Sequence, residues 1–384
     1  PPPYPFAHMT VPSASMISLR RSPLSPGRAP PRRPNPPGLG LAISDPPLTH
    51  PLLLLRALQV RVWLGEDQAH YYVLSRFLVR RMLTATGIPD KPAVKISLEL
   101  KRDLVDHDLL SLPQPDLDQR LFRIMEAKGY GADFVRQYQM VVRFFHVKAP
   151  LLVLICGTAG VCKSAIATQL AERLNFSHVI QTDIILDLIK AQGYAAEDAL
   201  DQRPIWVRGL DGQDLLLEYA RECTVLRQGL DGILDKCRKE GKAMILEGTH
   251  LDPGTFISDE GMQPFGAPPR PLPAGSEQRP LLVPIVLEMP RGDHMETIRD
   301  WPEACHELRD SAMFEGLRTL QDYLVQFEEK GSVNFEVRLH SVGDTIDSIH
   351  EFLLSCLARA LDSNERQAGG ADTDPGCGNG GKAC

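Results

Sequence analysis

Six consecutive apolar residues, Leu151-Leu152-Val153-Leu154-Ile155-Cys156, run straight into Gly157-Thr158-Ala159-Gly160-Val161-Cys162-Lys163-Ser164. Ala165–Leu174 follows, with apolar residues at helical spacing. A short apolar run opening onto glycine is the pattern of a strand buried on both faces. A strand that passes through such a loop into a helix commits the chain to an α/β architecture, because the helix has to cover the sheet. The loop ends in Lys-Ser at a helix start, where unpaired N–H groups and the helix dipole favour anionic oxygens. These features describe a phosphate-binding loop made of Gly157, Thr158, Ala159, Gly160, Val161, Cys162, Lys163 and Ser164. In such a loop the backbone amides wrap the phosphates, Lys163 reaches the β and γ oxygens, and the Ser164 hydroxyl holds magnesium. The plainer alternative is a βα turn that happens to contain Lys and Ser.

One position departs from the pattern G-x-x-x-x-G-K-[ST]. Cys162 stands where glycine is expected, immediately before Lys163. Glycine serves there because the backbone comes close to phosphate with torsions that strain other residues, at roughly 1–3 kcal/mol for a side-chain-bearing one. A thiol at a helix N-terminus beside a lysine is also expected to have a lowered pKa and raised reactivity. The alternative is a plain structural thiol.

At 384 residues the chain has room for two domains. Its net charge of −7 argues against a general nucleic-acid binder. The eight cysteines form no C-x-x-C pair and suit a reducing compartment. No apolar run reaches the length of a membrane span, so no membrane partner is expected. Residues 1–50 are rich in Pro, Ser and Arg, and the first acidic residue is Asp45. The segment 1–58 is expected to be disordered or a targeting sequence. The location expected is cytoplasmic, or plastid or mitochondrion if the segment is a transit peptide. Nothing in the sequence indicates the oligomeric state.

Residues 59–149 are expected to form a small, mainly helical domain. Val60–Leu64 alternates, and helical spacing recurs at Tyr71–Met82, Val94–Val105, Leu117–Lys128 and Phe134–Val142. Residues 150–362 are expected to form the second domain. After the first strand and helix come a strand at His178–Gln181, one long helix at Asp214–Lys239 and a strand at Ala243–Leu246. Residues 259–284 are a Pro/Gly-rich insertion. Then follow a strand at Ile285–Leu287, with Pro284 tolerable only at its first position, a helix at Phe314–Phe327, a strand at Phe335–Leu339 and a helix at Ile346–Leu361. Residues 363–384 are expected to be a disordered tail. The alternation predicts a five-stranded parallel sheet with helices on both faces.

In such sheets ligands bind beyond the carboxyl ends of the strands. Lys163 and Ser164 lie there after the first strand, Asp183 after the second, and Glu247 and His250 after the third. Phosphoryl transfer needs positioning and charge neutralisation more than covalent help. Glu247 is expected as a water-mediated magnesium carboxylate, its alternative being a cap or loop ion pair. Asp183 is expected to orient or deprotonate an acceptor hydroxyl, its alternative being a helix N-cap. Arg221 and Arg227, on the polar side of the long helix, are weaker candidates for gripping an anionic acceptor, since most arginines on such a face are solvated. Arg291, Arg299 and Arg309 surround the segment where a lid would lie.

Several stretches in order carry a resemblance beyond the loop. They are Tyr72-Val73-Leu74-Ser75-Arg76-Phe77-Leu78, Lys128-Gly129-Tyr130-Gly131, Gly157 to Ser164 with Ala167-Thr168-Gln169-Leu170-Ala171 after it, Gln181-Thr182-Asp183, Glu247 to Pro253, and Leu320-Gln321-Asp322-Tyr323-Leu324. In these the chain resembles the 2-phosphoglycerate kinases, and more so their plant and algal relatives, P-loop proteins linked to low seed phytic acid. The resemblance implies an ATP-cone-like module over residues 59–145, followed by a P-loop kinase domain using ATP and Mg2+. It implies phosphate transfer to a small phosphorylated acceptor, 2-phosphoglycerate giving 2,3-bisphosphoglycerate, and a tie to inositol phosphate metabolism for the plant relatives. The alternative is a catalytically weak or dead nucleotide-binding regulatory or scaffold protein that keeps the fold, a reading favoured by Cys162 and the thinned-out lid.

Overall fold

A computed structural model describes residues 59–64, 70–192, 201–268, 279–299 and 311–369, and their contacts are those of one unit spanning His50–Cys384. The expected N-terminal disordered or targeting segment, the final residues from 370 and Arg309 lie outside the described residues.

The N-terminal part is a small sheet backed by helices. β1 (Arg61–Leu64) pairs antiparallel with β2 (His70–Val73) and parallel with β3 (Ser111–Pro113). Around them pack α1 (Arg76–Ala85), α2 (Asp90–Asp106), α3 (Gln114–Ala127) and α4 (Ala132–Val147). Helical spacing of Ala93, Ile96, Leu100 and Leu104 builds one wall of a core shared with Val62, Leu83, Leu121 and Met125. The helix expected at Tyr71–Met82 is corrected here. Its first residues are strand β2, and the helix starts only after Ser75, whose hydroxyl accepts from Leu78 N–H at 3.4 Å. Tyr71, Tyr72 and Val73 are β-formers, and their pairing with β1 overrides the helical spacing.

The larger sheet is parallel throughout. Its strands are β4 (Leu151–Cys156), β5 (Val179–Gln181), β6 (Ala243–Gly248), β7 (Gln263–Pro264), β8 (Leu281–Glu288) and β9 (Val333–Glu336). Their order is β5-β6-β4-β8-β7, with β9 also pairing with β8. Among the described residues this sheet has six strands where five were expected, the additional one being the two-residue β7.

β4 is central and wholly buried, and its alternate residues feed two cores. Leu151, Val153 and Ile155 join α5 (Lys163–Leu174) and α12 (Val342–Gly369). Leu152, Leu154 and Cys156 meet α7 (Gly212–Gly229), α8 (Asp231–Glu240) and α11 (Ser311–Val325). Helices on both faces of a parallel sheet make the α/β fold that the apolar run implied.

The expected 259–284 insertion is corrected, since it contains β7 and the first four residues of β8. β9 lies at Val333–Glu336 rather than Phe335–Leu339. Three further boundaries differ for local reasons. The long helix over Asp214–Lys239 is two, broken at Leu230 where Gly229 lies against α6 (Thr182–Ala191); a Cβ there would sit 2.6 Å from Ile189 Cδ1. Pro284 lies inside β8, not at its start. Leu282 O accepts from Phe265 N and Glu288 O from Val337 N, so the N-position of Pro284 faces that same edge, between the end of the β7 pairing and the start of the β9 pairing. No ladder bond is lost there. α12 continues to Gly369, past the Leu361 expected, because no proline or glycine interrupts the polar turns that follow.

The N-terminal helices meet the larger sheet at α5 and α12. His350 Nε2 lies 3.2 Å from Ala85 O, and Arg173 of α5 bonds Asp347 of α12. A cavity of about 950 Å3 opens along this junction, lined by α1, α4, α5 and α12. None of the described helices is long and apolar enough to cross a membrane.

Candidate functional site

The loop after β4 turns on two glycines. Gly157 has φ +152°, and a Cβ there would lie 2.9 Å from Leu287 O and from Val161 Cγ2. Gly160 has φ +88° and faces α10 (Arg291–Arg299), where a Cβ on it would come within 3.3 Å of both His294 and Ile298. The next tight residue is not glycine. Cys162 sits in the left-handed region at φ +61°, ψ 22°, and its carbonyl accepts from Ile166 N at 3.0 Å to start α5. The torsions are those expected of the missing glycine, so the strain reasoned from the sequence is present.

The expectation of a lowered Cys162 pKa is corrected. Burial pushes this thiol up, and the opposing charge of Lys163 does not outweigh it. Five cysteines among the described residues are free, and Cys162 alone of these is partly exposed.

Lys163 opens α5 and folds back into the loop. Its ammonium is buried and donates to Thr158 O at 2.7 Å. Burial lowers its pKa, while Asp183 and Glu247 act in the opposite sense. Ser164, the next residue, is exposed at the mouth.

Glu247 reaches the same place from β6, whose Ile155-to-Glu247 register sets it beside the end of β4. Its Oε2 is buried without a hydrogen-bond partner among the described residues, as is Thr158 Oγ1. Burial raises the Glu247 pKa; the Ser164 hydroxyl and Lys163 oppose this, and Asp183 adds to it. A buried carboxylate oxygen with no partner, next to a serine hydroxyl and an ammonium, fits a divalent cation carried by a polyphosphate. These residues therefore suit a magnesium–nucleotide.

Asp183 completes the row. It is not the N-cap of α6, since Gln181 holds that position. Its Oδ1 accepts from Thr249 N at 2.9 Å and its Oδ2 from Thr249 Oγ1 at 3.4 Å. Burial opposes its ionisation, but His250, Lys163 and the Thr249 amide outweigh that and hold its carboxyl below the usual range. So anchored, Asp183 is a weak base and a good hydrogen-bond acceptor. Gly248 permits the approach, because a Cβ there would lie 2.0 Å from Thr182 Oγ1.

The structure thus brings together Lys163, Ser164, Asp183, Glu247 and His250, and leaves both arginines of α7 outside. Arg221 is exposed and ion-paired with Glu218 at 3.5 Å. Arg227 pairs with Asp231 and Asp259 and lies over the Phe256 ring, which makes it a clamp between α7 and the segment after β6. Arg291 is bound to Glu315.

Several residues at the site were not singled out from the sequence. Glu222, Lys190 and Arg208 form a buried ion cluster under His250. The legible signal was a glutamate on the inward stripe of α7, next to Tyr219 and Cys223. His294 is fully buried, with Nε2 2.8 Å from Ala159 O, and burial lowers its pKa.

No family model matches the chain. Among curated proteins it is similar to the 2-phosphoglycerate kinase of Methanocaldococcus jannaschii, 28% identical over 196 residues, covering 49% of this chain and 62% of that protein. The 2-phosphoglycerate kinase of Pyrococcus horikoshii is 27% identical over 197 residues, covering 50% and 65%. The chain therefore spans a little under two thirds of the length of the curated relatives it matches. Among solved structures, a shikimate kinase from Acinetobacter baumannii in complex with shikimate aligns with a TM-score of 0.35 at 15% identity, over 55% of this chain and 97% of that one. A gluconokinase from Sinorhizobium meliloti aligns with a TM-score of 0.29 at 14% identity, over 58% and 96%. Over about half its length this chain is similar to proteins named 2-phosphoglycerate kinase.

Proposed function

We propose that this chain is a small-molecule kinase that uses ATP and magnesium to phosphorylate a hydroxyl of a phosphorylated acceptor, with 2-phosphoglycerate giving 2,3-bisphosphoglycerate as the leading reaction. The observation that carries the reading is the convergence of Lys163, Ser164, Asp183 and Glu247 at the carboxyl ends of three adjacent strands, β4, β5 and β6. The names of the curated relatives support the acceptor.

In this reading the loop amides and the start of α5 bind the triphosphate, and Lys163 leaves Thr158 O to meet the β and γ oxygens. Bound magnesium supplies charge neutralisation on the phosphates, with the Ser164 hydroxyl and Glu247 as its holders. Asp183 accepts a hydrogen bond from the acceptor hydroxyl and orients it in line with the γ-phosphorus. The hydroxyl oxygen forms the new P–O bond, ADP leaves, and the hydroxyl proton passes to Asp183 and then to water. The same site suits an inositol phosphate acceptor, the role implied by the plant and algal resemblance. The N-terminal residues 59–149 are proposed as an ATP-cone-like module.

A second reading rests on Cys162 alone. Its side chain occupies the tightest bend of the loop in a left-handed conformation, as a nucleotide-binding protein with little or no turnover could tolerate. The test is incubation of the full chain with ATP, magnesium and a panel of phosphorylated three-carbon acids and inositols, with products followed by mass. Transfer to 2-phosphoglycerate supports the leading reading; ATP binding without transfer to any acceptor supports the second.

A further inference from the structure

Beneath the crevice lies a carboxylate that the reaction above leaves unused. Glu222 on α7 is wholly excluded from solvent. Lys190 Nζ of α6 lies 3.0 Å from its Oε1, Arg208 bonds the same oxygen, and His250 Nε2 is 2.8 Å from Oε2. An isolated carboxylate could not stay charged at such a place, whereas one ringed by three cations can.

His250 links this cluster to the crevice. Its Nδ1 lies 4.0 Å from Asp183 Oδ1. Its ring stacks on Tyr219 with centroids 5.5 Å apart and planes inclined by 28°, and the Tyr219 hydroxyl is itself fixed to Thr249 O at 2.9 Å. Both ring nitrogens are buried and neither makes a well-aligned hydrogen bond among the described residues, so the ring meets Glu222 and Asp183 through charge.

We propose that Glu222 is a positioning residue: by holding His250 as an imidazolium between itself and Asp183, it keeps the Asp183 carboxylate ionised and aimed at the acceptor hydroxyl. The inference rests on the reading of the crevice as an acceptor site. The groups facing the ring are Asp183 from α6 and Glu222 and Tyr219 from α7; Lys190 and Arg208 stand behind Glu222, and Lys163 of α5 acts on Asp183. Asp252, two residues along the chain, is turned away to cap α9 (Pro253–Ile257) through Gly254 N at 3.1 Å. Two carboxylates, at 2.8 and 4.0 Å from opposite ring nitrogens, favour the charged form of the ring.

The test is the titration of the His250 C2 proton by NMR in the full chain, beside kinetics of Glu222→Gln. In the wild-type protein His250 is expected to titrate above the ordinary value of about 6.5. Glu222→Gln should lower that midpoint by about one unit or more. In the same variant kcat should fall about a hundredfold, with KM for ATP unchanged and the alkaline limb of the pH profile displaced towards acid. Glu222→Asp, which keeps the charge, should recover most of the titration shift. A purely structural Glu222 would move stability without moving the imidazole. A wild-type midpoint at or below about 6.5 overturns the proposal with no variant needed. An unmoved midpoint and a normal kcat in Glu222→Gln overturn it while leaving the kinase reading in place. Absence of transfer to any acceptor by the wild-type protein overturns the kinase reading, and with it the catalytic part of this one.

Discussion

The carboxylate of Asp183 accepts the backbone N–H of Thr249 at 2.9 Å, tying the first turn of α6 to the loop that leaves β6. Two strand ends that are neighbours in the sheet are thereby joined by a side chain whose other lone pairs face the crevice. Asp183→Asn keeps the shape and loses the charge. It should lower kcat by about 10²–10⁴-fold with ATP affinity preserved, measured by steady-state kinetics beside calorimetric titration.

Lys163→Ala should abolish detectable transfer, a loss of about 10²–10³-fold or more. Folding should survive, because the ammonium's hydrogen bond to Thr158 O is offset by the cost of burying the charge. Thermal melting and nucleotide binding on the same sample separate the two effects.

Cys162→Gly tests the loop directly. Removing left-handed strain of about 1–2 kcal/mol is set against the greater freedom of glycine in the unfolded chain, about 0.4–1 kcal/mol, so Tm should change little. ATP affinity should rise several-fold, since the side chain leaves the tightest bend. An unchanged dissociation constant would mean that the thiol never obstructed the phosphates.

Glu247→Gln should raise the magnesium concentration needed for half-maximal activity by about 10–100-fold, with kcat at saturating metal much less affected. A magnesium titration at fixed ATP reads this out.

Two buried partners, Glu222 and His250, contribute opposite limbs to the pH dependence of stability. Burial opposes the charge on Glu222, yet His250, Arg208 and Lys190 hold its carboxyl at about 2, below its ordinary 4.5. Its contribution is therefore complete above pH 4.5 and is lost as pH falls towards 2. His250 is shifted the other way: burial lowers it, but Asp183 and Glu222 raise it above 6.5, so its contribution is complete below 6.5 and fades as pH rises through the folded value. From these groups stability should be greatest between 4.5 and 6.5. Melting temperatures across that range should show it, and Glu222→Gln should flatten both limbs.

Much of the site was readable because strand ends are readable. The apolar run at 151–156 locates β4, and the rule that ligands sit past carboxyl ends selects Lys163, Ser164, Asp183, Glu247 and His250 together. What escaped depends on contacts distant in sequence. Gly229, at the end of α7, is kept free of a Cβ by Ile189 of α6, and Pro284 enters a strand only because β7 ends before β9 begins. Glu222 looks like any helical glutamate until Lys190, Arg208 and His250 close round it. The two arginines of α7 were chosen for their polar face, and a face says nothing about Asp231, Asp259 or Glu218 already waiting for them.

The junction with the N-terminal helices has a mechanical corollary. α5 carries Lys163 at one end and Arg173, bound to α12, near the other, and at about 18 Å it is a stiff pointer. A pivot of a few degrees where α1 leans on it becomes a shift of about an ångström at the ammonium, the scale on which in-line geometry is won or lost. A displacement at the contact of α1 with α5 is thus multiplied along the helix before it reaches the lysine.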